Sequence, residues 1–315
     1  MTIDRRNFLK SSAVLGAVKA FAADAQRYQV GISNITGGGW EKDLFLSYRE
    51  AREVGFHYVE THVDQIQQLG YYPDKPRELQ QKMDEIGLKF ANISNGPPLN
   101  THFDDPTQHQ KIFEDYLQLI RFNKNFGLTH LKINPGPRRP TGTSQEDLKY
   151  IADGFEGVGR RLAAEGVKFA PHPHLGTHYL FRNEIDFVMK HTDPKHVWMT
   201  VDTGHITMAG MDVVELARAY GHRVVEFHLK DTKRETLGGS KTPLENGAVP
   251  KYLWSFPLGT SGGVDFVGLK AHLDEIAWKG WMVVELETAT PPERPPKVCA
   301  RISKQYLEQT LKLMA

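Results

Sequence analysis

The sequence predicts an α/β chain folded as a (β/α)8 TIM barrel, and three observations carry that expectation. From Arg27 onward, short β-branched or aromatic runs alternate with longer amphipathic stretches, the signature of successive βα units around a parallel sheet. The 315-residue chain is long enough for all eight units that a closed barrel needs. No G-x-G-x-x-G run follows the first strand, so the alternative, a doubly wound sheet that binds a dinucleotide, lacks its fingerprint.

Residues 1–26, MTIDRRNFLKSSAVLGAVKAFAADAQ, read as a charged segment, a mildly apolar run from Ser11 to Val18, and small residues at Ala20, Ala22, Ala23 and Ala25. That is the order of a cleavable export signal. Arg5 and Arg6 followed by Asn7, Phe8, Leu9 and Lys10 resemble the twin-arginine signal, with Asp4 where the pattern usually has Ser or Thr. The expected setting is therefore periplasmic. A basic amphipathic helix would not account for the small-residue exit. Residues 27–315 are expected to form one barrel domain, because no low-complexity linker divides them.

Strands are expected at 28–33 (YQVGIS), 57–61 (HYVET), 89–94 (KFANIS), 130–134 (HLKIN), 167–172 (VKFAPH), 197–202 (VWMTVD), 224–230 (VVEFHLK) and 280–287 (GWMVVELE). Helical patterns fill the gaps, among them 43–55, 109–127 and 266–280, each closing on a glycine. Gly37, Gly38 and Gly39 fall in the first loop. The longest excursion, 231–263, is rich in Gly and Pro and separates strands seven and eight; a loop of that length in a compact domain is usually functional.

Charge and composition exclude some functions. A formal net charge of +1 gives no electrostatic reason to bind nucleic acid or an anionic membrane. Hydrophobic residues at 40% and charged residues at 24% are ordinary for a soluble globular protein. After the signal, no segment approaches the ~20 apolar residues that span a bilayer. Cys299 is the only cysteine, so neither an internal disulfide nor a thiolate metal site is expected.

Barrel active sites lie at the C-terminal ends of the strands. Asp202 stands there after strand six, His172 and His174 after strand five, Glu226, His228 and Lys230 along strand seven, and Glu285 and Glu287 on strand eight. Side chains alternate along a strand, so each set shares one face. Two carboxylates and one or two imidazoles can then converge. Nitrogen and oxygen donors without thiolates suit one divalent ion of Mn, Co, Fe or Zn, and converging carboxylates are costly to bury without a cation.

Plainer readings compete at each position. A lone strand-end histidine is more often a hydrogen-bonded structural residue, and that is the expectation for His57, His62, His130, His178 and His196. Asp202 opens an Asp-Thr-Gly sequence and so fits a turn or helix cap. Glu287 fits a rim ion pair. Trp198, Trp278 and Trp281 fit core or helix packing, whereas Trp254, inside the long loop, fits a lid or substrate platform. The coincidence of acids and imidazoles on one rim is what favours a site.

The motifs HPHLGTHY (172–179), VDTGHITMAG (201–210), VEFHLKDTK (225–233) and GWMVVELE (280–287) resemble, in order and spacing, the sugar phosphate isomerase/epimerase superfamily of xylose-isomerase-like barrels. The H-x-H-x-G-T run and H-L-K-D are most similar to its inosose dehydratase type. The resemblance covers the chain from about Tyr28 to its end. It implies a single divalent ion, with Mg added to the list above, held by Asp202, His228 and Glu285. His172 stands where many relatives have Glu; the inosose dehydratase type also has His there, which implies that His172 takes the first ligand position and His174 that of the substrate-contacting His.

The resemblance further implies an enzyme acting on a keto-sugar or keto-polyol. Glu285 or a nearby His would remove a proton beside the carbonyl, Lys230 would stabilise the resulting charge, and His205 or His174 would protonate the departing β-oxygen. Lys132, Glu60 and Trp254 are the expected substrate contacts. The result is dehydration, or cleavage of a 3-keto-glycoside if the oxygen carries a sugar or aglycone. An isomerase or epimerase using the same residues is the alternative. An endonuclease IV-type barrel would want more ligands and a basic rim, and a non-catalytic sugar-binding protein would need no metal. A homo-oligomer is compatible with all of these.

Overall fold

Apolar runs of four to six residues form the staves, as expected for strands buried on both faces. The computed structural model describes residues 27–35, 40–96, 101–233, 254–286 and 295–314. Its barrel strands are β1 (Tyr28–Ser33), β2 (Tyr58–His62), β3 (Lys89–Ser94), β4 (His130–Ile133), β5 (Lys168–Pro171), β6 (Met199–Asp202), β7 (Val224–Leu229) and β10 (Gly280–Val284). All eight expected strands are present. The long loop between β7 and β10 contributes β8 (Asp231–Thr232) and β9 (Trp254–Phe256), paired antiparallel.

Six strands form one parallel sheet in the order β3-β2-β1-β10-β7-β6, and β4 pairs with β5. Two seams close the ring. β5 meets β6 through a parallel bridge of Phe169 with Val197 and the bond from Trp198 N–H to Phe169 O, 2.8 Å. Between β3 and β4 asparagines substitute for a ladder: Asn95 Oδ1 accepts from Asn134 N (2.7 Å), and Asn95 Nδ2 donates to Asn134 O (3.1 Å).

Helices cover the outside. Leu44–Val54 starts at Asp43, which accepts from Leu46 N, and ends at Gly55 with φ 107°. Gln145–Ala164 starts with a capping box between Ser144 and Asp147. The expectation that Gly280 closes the preceding helix is corrected: Phe266–Glu275 ends earlier, and Gly280 opens β10. A Cβ there would lie 2.4 Å from the Trp278 ring and 2.5 Å from Val225 O. A second short helix, Thr203–Met208, follows β6 directly with Asp202 as its N-cap. No helix among the described residues is long and apolar enough to cross a membrane.

Between sheet and helices lies the apolar core, including an aromatic knot of Phe103, Tyr116, Phe155, Phe169 and Tyr179. The lumen is different. Barrels of this kind usually fill it with branched apolar side chains. Here Lys132 on β4 reaches Glu60 on β2, and His130 on β4 reaches Glu226 on β7. None of these pairs lies on neighbouring strands, so the contacts cross the interior.

Candidate metal centre

The C-terminal ends of β5, β6, β7 and β10 bring four of the expected side chains together. His172 Nε2 lies 3.7 Å from Asp202 Oδ2, and His228 Nδ1 lies 3.9 Å from the same oxygen. Glu285 joins from β10, its Oε2 2.7 Å from His228 Nδ1. One ligand atom each from His172, Asp202 and His228 falls within 4.8 Å of the other two. Glu285 attaches to that trio through His228. All four residues are buried, with at most 3% of their surface exposed.

These facing atoms, His172 Nε2, Asp202 Oδ2, His228 Nδ1 and Glu285 Oε2, make no hydrogen bond; their close polar neighbours are one another and, for Asp202 Oδ2, the Lys230 ammonium at 3.1 Å. Leaving a buried polar atom unsatisfied costs ~1–3 kcal/mol, so a cluster of them calls for a group from outside the chain. The opposite atom of two of these residues is occupied. His172 Nδ1 donates to Asn134 Oδ1 (2.9 Å), and Asp202 Oδ1 accepts from His205 N (2.8 Å). Asp202 is thus a helix cap through one oxygen and a candidate ligand through the other. Two nitrogen and two oxygen donors, thiolate-free, fit a divalent transition-metal ion.

Burial is the largest influence on every charge here. It pushes His172 well below the usual imidazole range, with Lys132 and His228 adding to the effect, so this ring is kept neutral, the form that ligates metals. Burial also works against a charged His228, but Glu60 and Glu285 outweigh it and hold its pKa well above the usual value. Asp202 and Glu285 go the other way: burial would raise them, but His205 and Lys230 beside Asp202, and Lys230 and His228 beside Glu285, keep both ionised. Lys230 Nζ stands 3.1 Å from Asp202 Oδ2, 3.2 Å from Glu285 Oε1 and 3.3 Å from His205 Nε2.

The His174 and His205 rings lie 3.8 Å apart, and His174 Nδ1 donates to Leu175 O at 2.6 Å. Glu60 and Lys132 are buried to 0% and 1% exposure and pair with each other at 3.2 Å. Glu226 lies one layer deeper than the rim on which it was expected, bonded to His130 Nε2 at 2.6 Å. Trp254 is described through its backbone in β9, and Glu287 lies outside the described residues, as do Gly37, Gly38, Gly39 and residues 1–26.

Two residues gain importance that the sequence did not give them. Asn134 ends the fourth expected strand and orients His172; its terminal position was the signal available. His62, expected to be structural, has Glu285, His228 and His174 among its charged neighbours, and burial followed by Lys132 lowers its pKa to about 3. Of the other histidines set aside, His196 bonds Glu156 (2.5 Å), while buried His178 sits 3.8 Å from Asp104.

A family model described as the xylose isomerase-like TIM barrel matches residues 48–308. An inosose dehydratase of Geobacillus kaustophilus (strain HTA426) is 24% identical over 304 residues, spanning 90% of this chain and 94% of that protein. An inosose dehydratase of Salmonella typhimurium is 31% identical over 174 residues, 54% of this chain and 56% of its own length. Among solved structures, the IOLI protein with a binding zinc atom superposes with a TM-score of 0.66 at 16% identity, over 91% of this chain and 99% of that one. D-psicose 3-epimerase with D-tagatose, from Clostridium cellulolyticum H10, gives 0.69 at 17% identity, over 91% and 100%. At such identities the structural likeness speaks for the fold.

Proposed function

The chain belongs to the xylose isomerase-like TIM barrel family, and from that premise we propose that it is a divalent-metal-dependent carbon-oxygen lyase acting on a keto-sugar or keto-polyol. The observation that carries the reading is the convergence of buried ligand atoms that make no hydrogen bond, on His172, Asp202, His228 and Glu285. These residues would hold the ion, which when bound polarises a substrate carbonyl and acidifies the adjacent C–H. The inosose dehydratase relatives support elimination as the outcome.

Glu285, kept ionised by Lys230 and His228, accepts the proton from the carbon beside the ketone. The Lys230 ammonium, 3.2 Å from that carboxylate, offsets negative charge developing on the carbonyl oxygen. As the C–O bond at the β-carbon breaks, His205 or His174 supplies a proton to the departing oxygen. The products are an α,β-unsaturated ketone and water, or a released sugar or aglycone when the oxygen carries one. His172 is committed to the ion by the unpartnered nitrogen, so it does not serve as a second acid/base group on the opposite face of the substrate.

We also propose that residues 1–26 direct export through the twin-arginine route and that residues 27–315 act as one barrel domain outside the cytoplasm. Export favours 3-keto-glycosides over inositol intermediates, since glycosides are available there. The second reading, a sugar epimerase or isomerase, draws support from the epimerase structures that share the fold. Product analysis in deuterated water separates the two. Metal-loaded protein incubated with a 3-keto-glycoside and with a keto-inositol is expected to release aglycone or water and to form the unsaturated ketone. Deuterium appearing only in an epimerised or isomerised sugar would sink the lyase reading.

A further inference from the structure

His228 meets carboxylates through both ring nitrogens. Nδ1 faces Glu285 Oε2 (2.7 Å) and Asp202 Oδ2 (3.9 Å), whereas Nε2 is hydrogen-bonded to Glu60 Oε2 at 3.2 Å and faces Glu226 Oε1 at 3.0 Å. The two carboxylates on the Nε2 side are themselves tied from behind. His130 Nε2 donates to Glu226 Oε2 (2.6 Å), and Lys132 Nζ donates to Glu60 Oε1 (3.2 Å). All these side chains are at most 4% exposed.

We infer that Glu60 and Glu226 are positioning residues for the metal centre: Glu60 Oε2 takes the Nε2–H of His228, with Glu226 Oε1 beside the same nitrogen, and the ring so presents its Nδ1 lone pair to the ion. This rests on the metal reading above. The physical ground is that an imidazole that ligates an ion keeps one proton, and a carboxylate fixed beside one nitrogen holds that proton there and leaves the other nitrogen as the ligand. Glu60, Glu226 and His228 also bring ligand atoms within 4.8 Å of one another, which by distance alone would suit a second cation. The outer oxygens of both carboxylates, however, are already engaged by Lys132 and His130. Those contacts tie the lower cluster down and leave it a support.

The test uses the full-length protein and zinc. Chelator competition is expected to give one zinc per chain for the wild type and a ~10–100-fold weaker affinity for Glu226→Gln and Glu60→Gln, with unchanged far-ultraviolet circular dichroism. Glu226→Asp should recover part of the loss. Nitrogen-15 histidine spectra of the zinc-loaded wild type, with His228 assigned by its absence in His228→Asn, should show a protonated Nε2 and a zinc-shifted Nδ1. Because that measurement needs no folded Glu226 variant, it decides the matter even if the variants misfold. Zinc on Nε2, equal affinity in folded variants, or two zincs per chain with one lost in Glu226→Gln would each overturn the inference alone. A wild type that takes up no zinc would overturn the metal reading as well.

Discussion

Two layers of one lumen, stacked along β7, are built from the same kinds of side chain yet differ in how their polar atoms are satisfied. The lower layer contains Glu60, Lys132, His130 and Glu226, where carboxylate meets ammonium or imidazole at 3.2 and 2.6 Å. In the upper layer, His172, Asp202, His228 and Glu285 turn toward one another atoms that make no hydrogen bond. Burial cannot distinguish them, since both layers exclude water. What differs is the number: one atom of the lower layer, Glu226 Oε1, makes no hydrogen bond, against four that face one another in the upper layer, and such a convergence of donors is where a cation fits.

The comparison breaks most visibly if the upper layer keeps its ion without its ligands. Asp202→Ala and His228→Ala are each expected to abolish metal retention through gel filtration while His196→Ala retains it, as read by elemental analysis. Equal retention in all three would erase the distinction between the layers. In Asp202→Ala the lost helix cap adds ~1 kcal/mol of destabilisation, which a parallel urea titration registers.

The lower layer should respond in stability instead. Lys132→Met leaves Glu60 buried without its cation and is expected to cost ~3–5 kcal/mol, measured by urea unfolding of the metal-free protein. A cost below about 1 kcal/mol would show that the pair is not what balances this layer. Back in the upper layer, Glu285→Gln should lower turnover of a 3-keto-glycoside by at least ~10²-fold, the loss typical of a general base. Turnover close to wild type at saturating metal would remove Glu285 from the proton transfer.

The smallest effect calibrates both layers against a histidine outside them. Burial lowers the His178 pKa to about 4, despite Asp104 nearby. Its folded-state value lies below the unfolded value of ~6.5, so the folded form binds fewer protons as pH falls. The stability it contributes is intact above pH ~6.5 and is lost progressively toward pH 4, at up to ~1.4 kcal/mol per pH unit. Urea midpoints measured from pH 7 to pH 5 should therefore fall less steeply in His178→Gln than in the wild type. Identical slopes would show that His178 is not buried as a neutral ring.

The sequence by itself determined the staves and the identity of the upper layer. Short β-branched runs bounded by helix caps and glycines located eight strands to within a few residues, because strand and helix periods are local properties. Strand-end polarity in VDTGHI, HPH and HLK picked out Asp202, His172 and His228 for the same reason: a polar group ending an apolar run is visible one residue at a time. What alternation could not reveal was depth and cross-lumen partnership. Residues 226, 228 and 230 share a face by their spacing of two, but only barrel closure, with its strand stagger, decides that Glu226 meets His130 from β4 while His228 meets Glu285 from β10. Likewise Glu60 and Lys132, expected against substrate, find each other and His228 because β2, β4 and β7 face across a ring that no local pattern records.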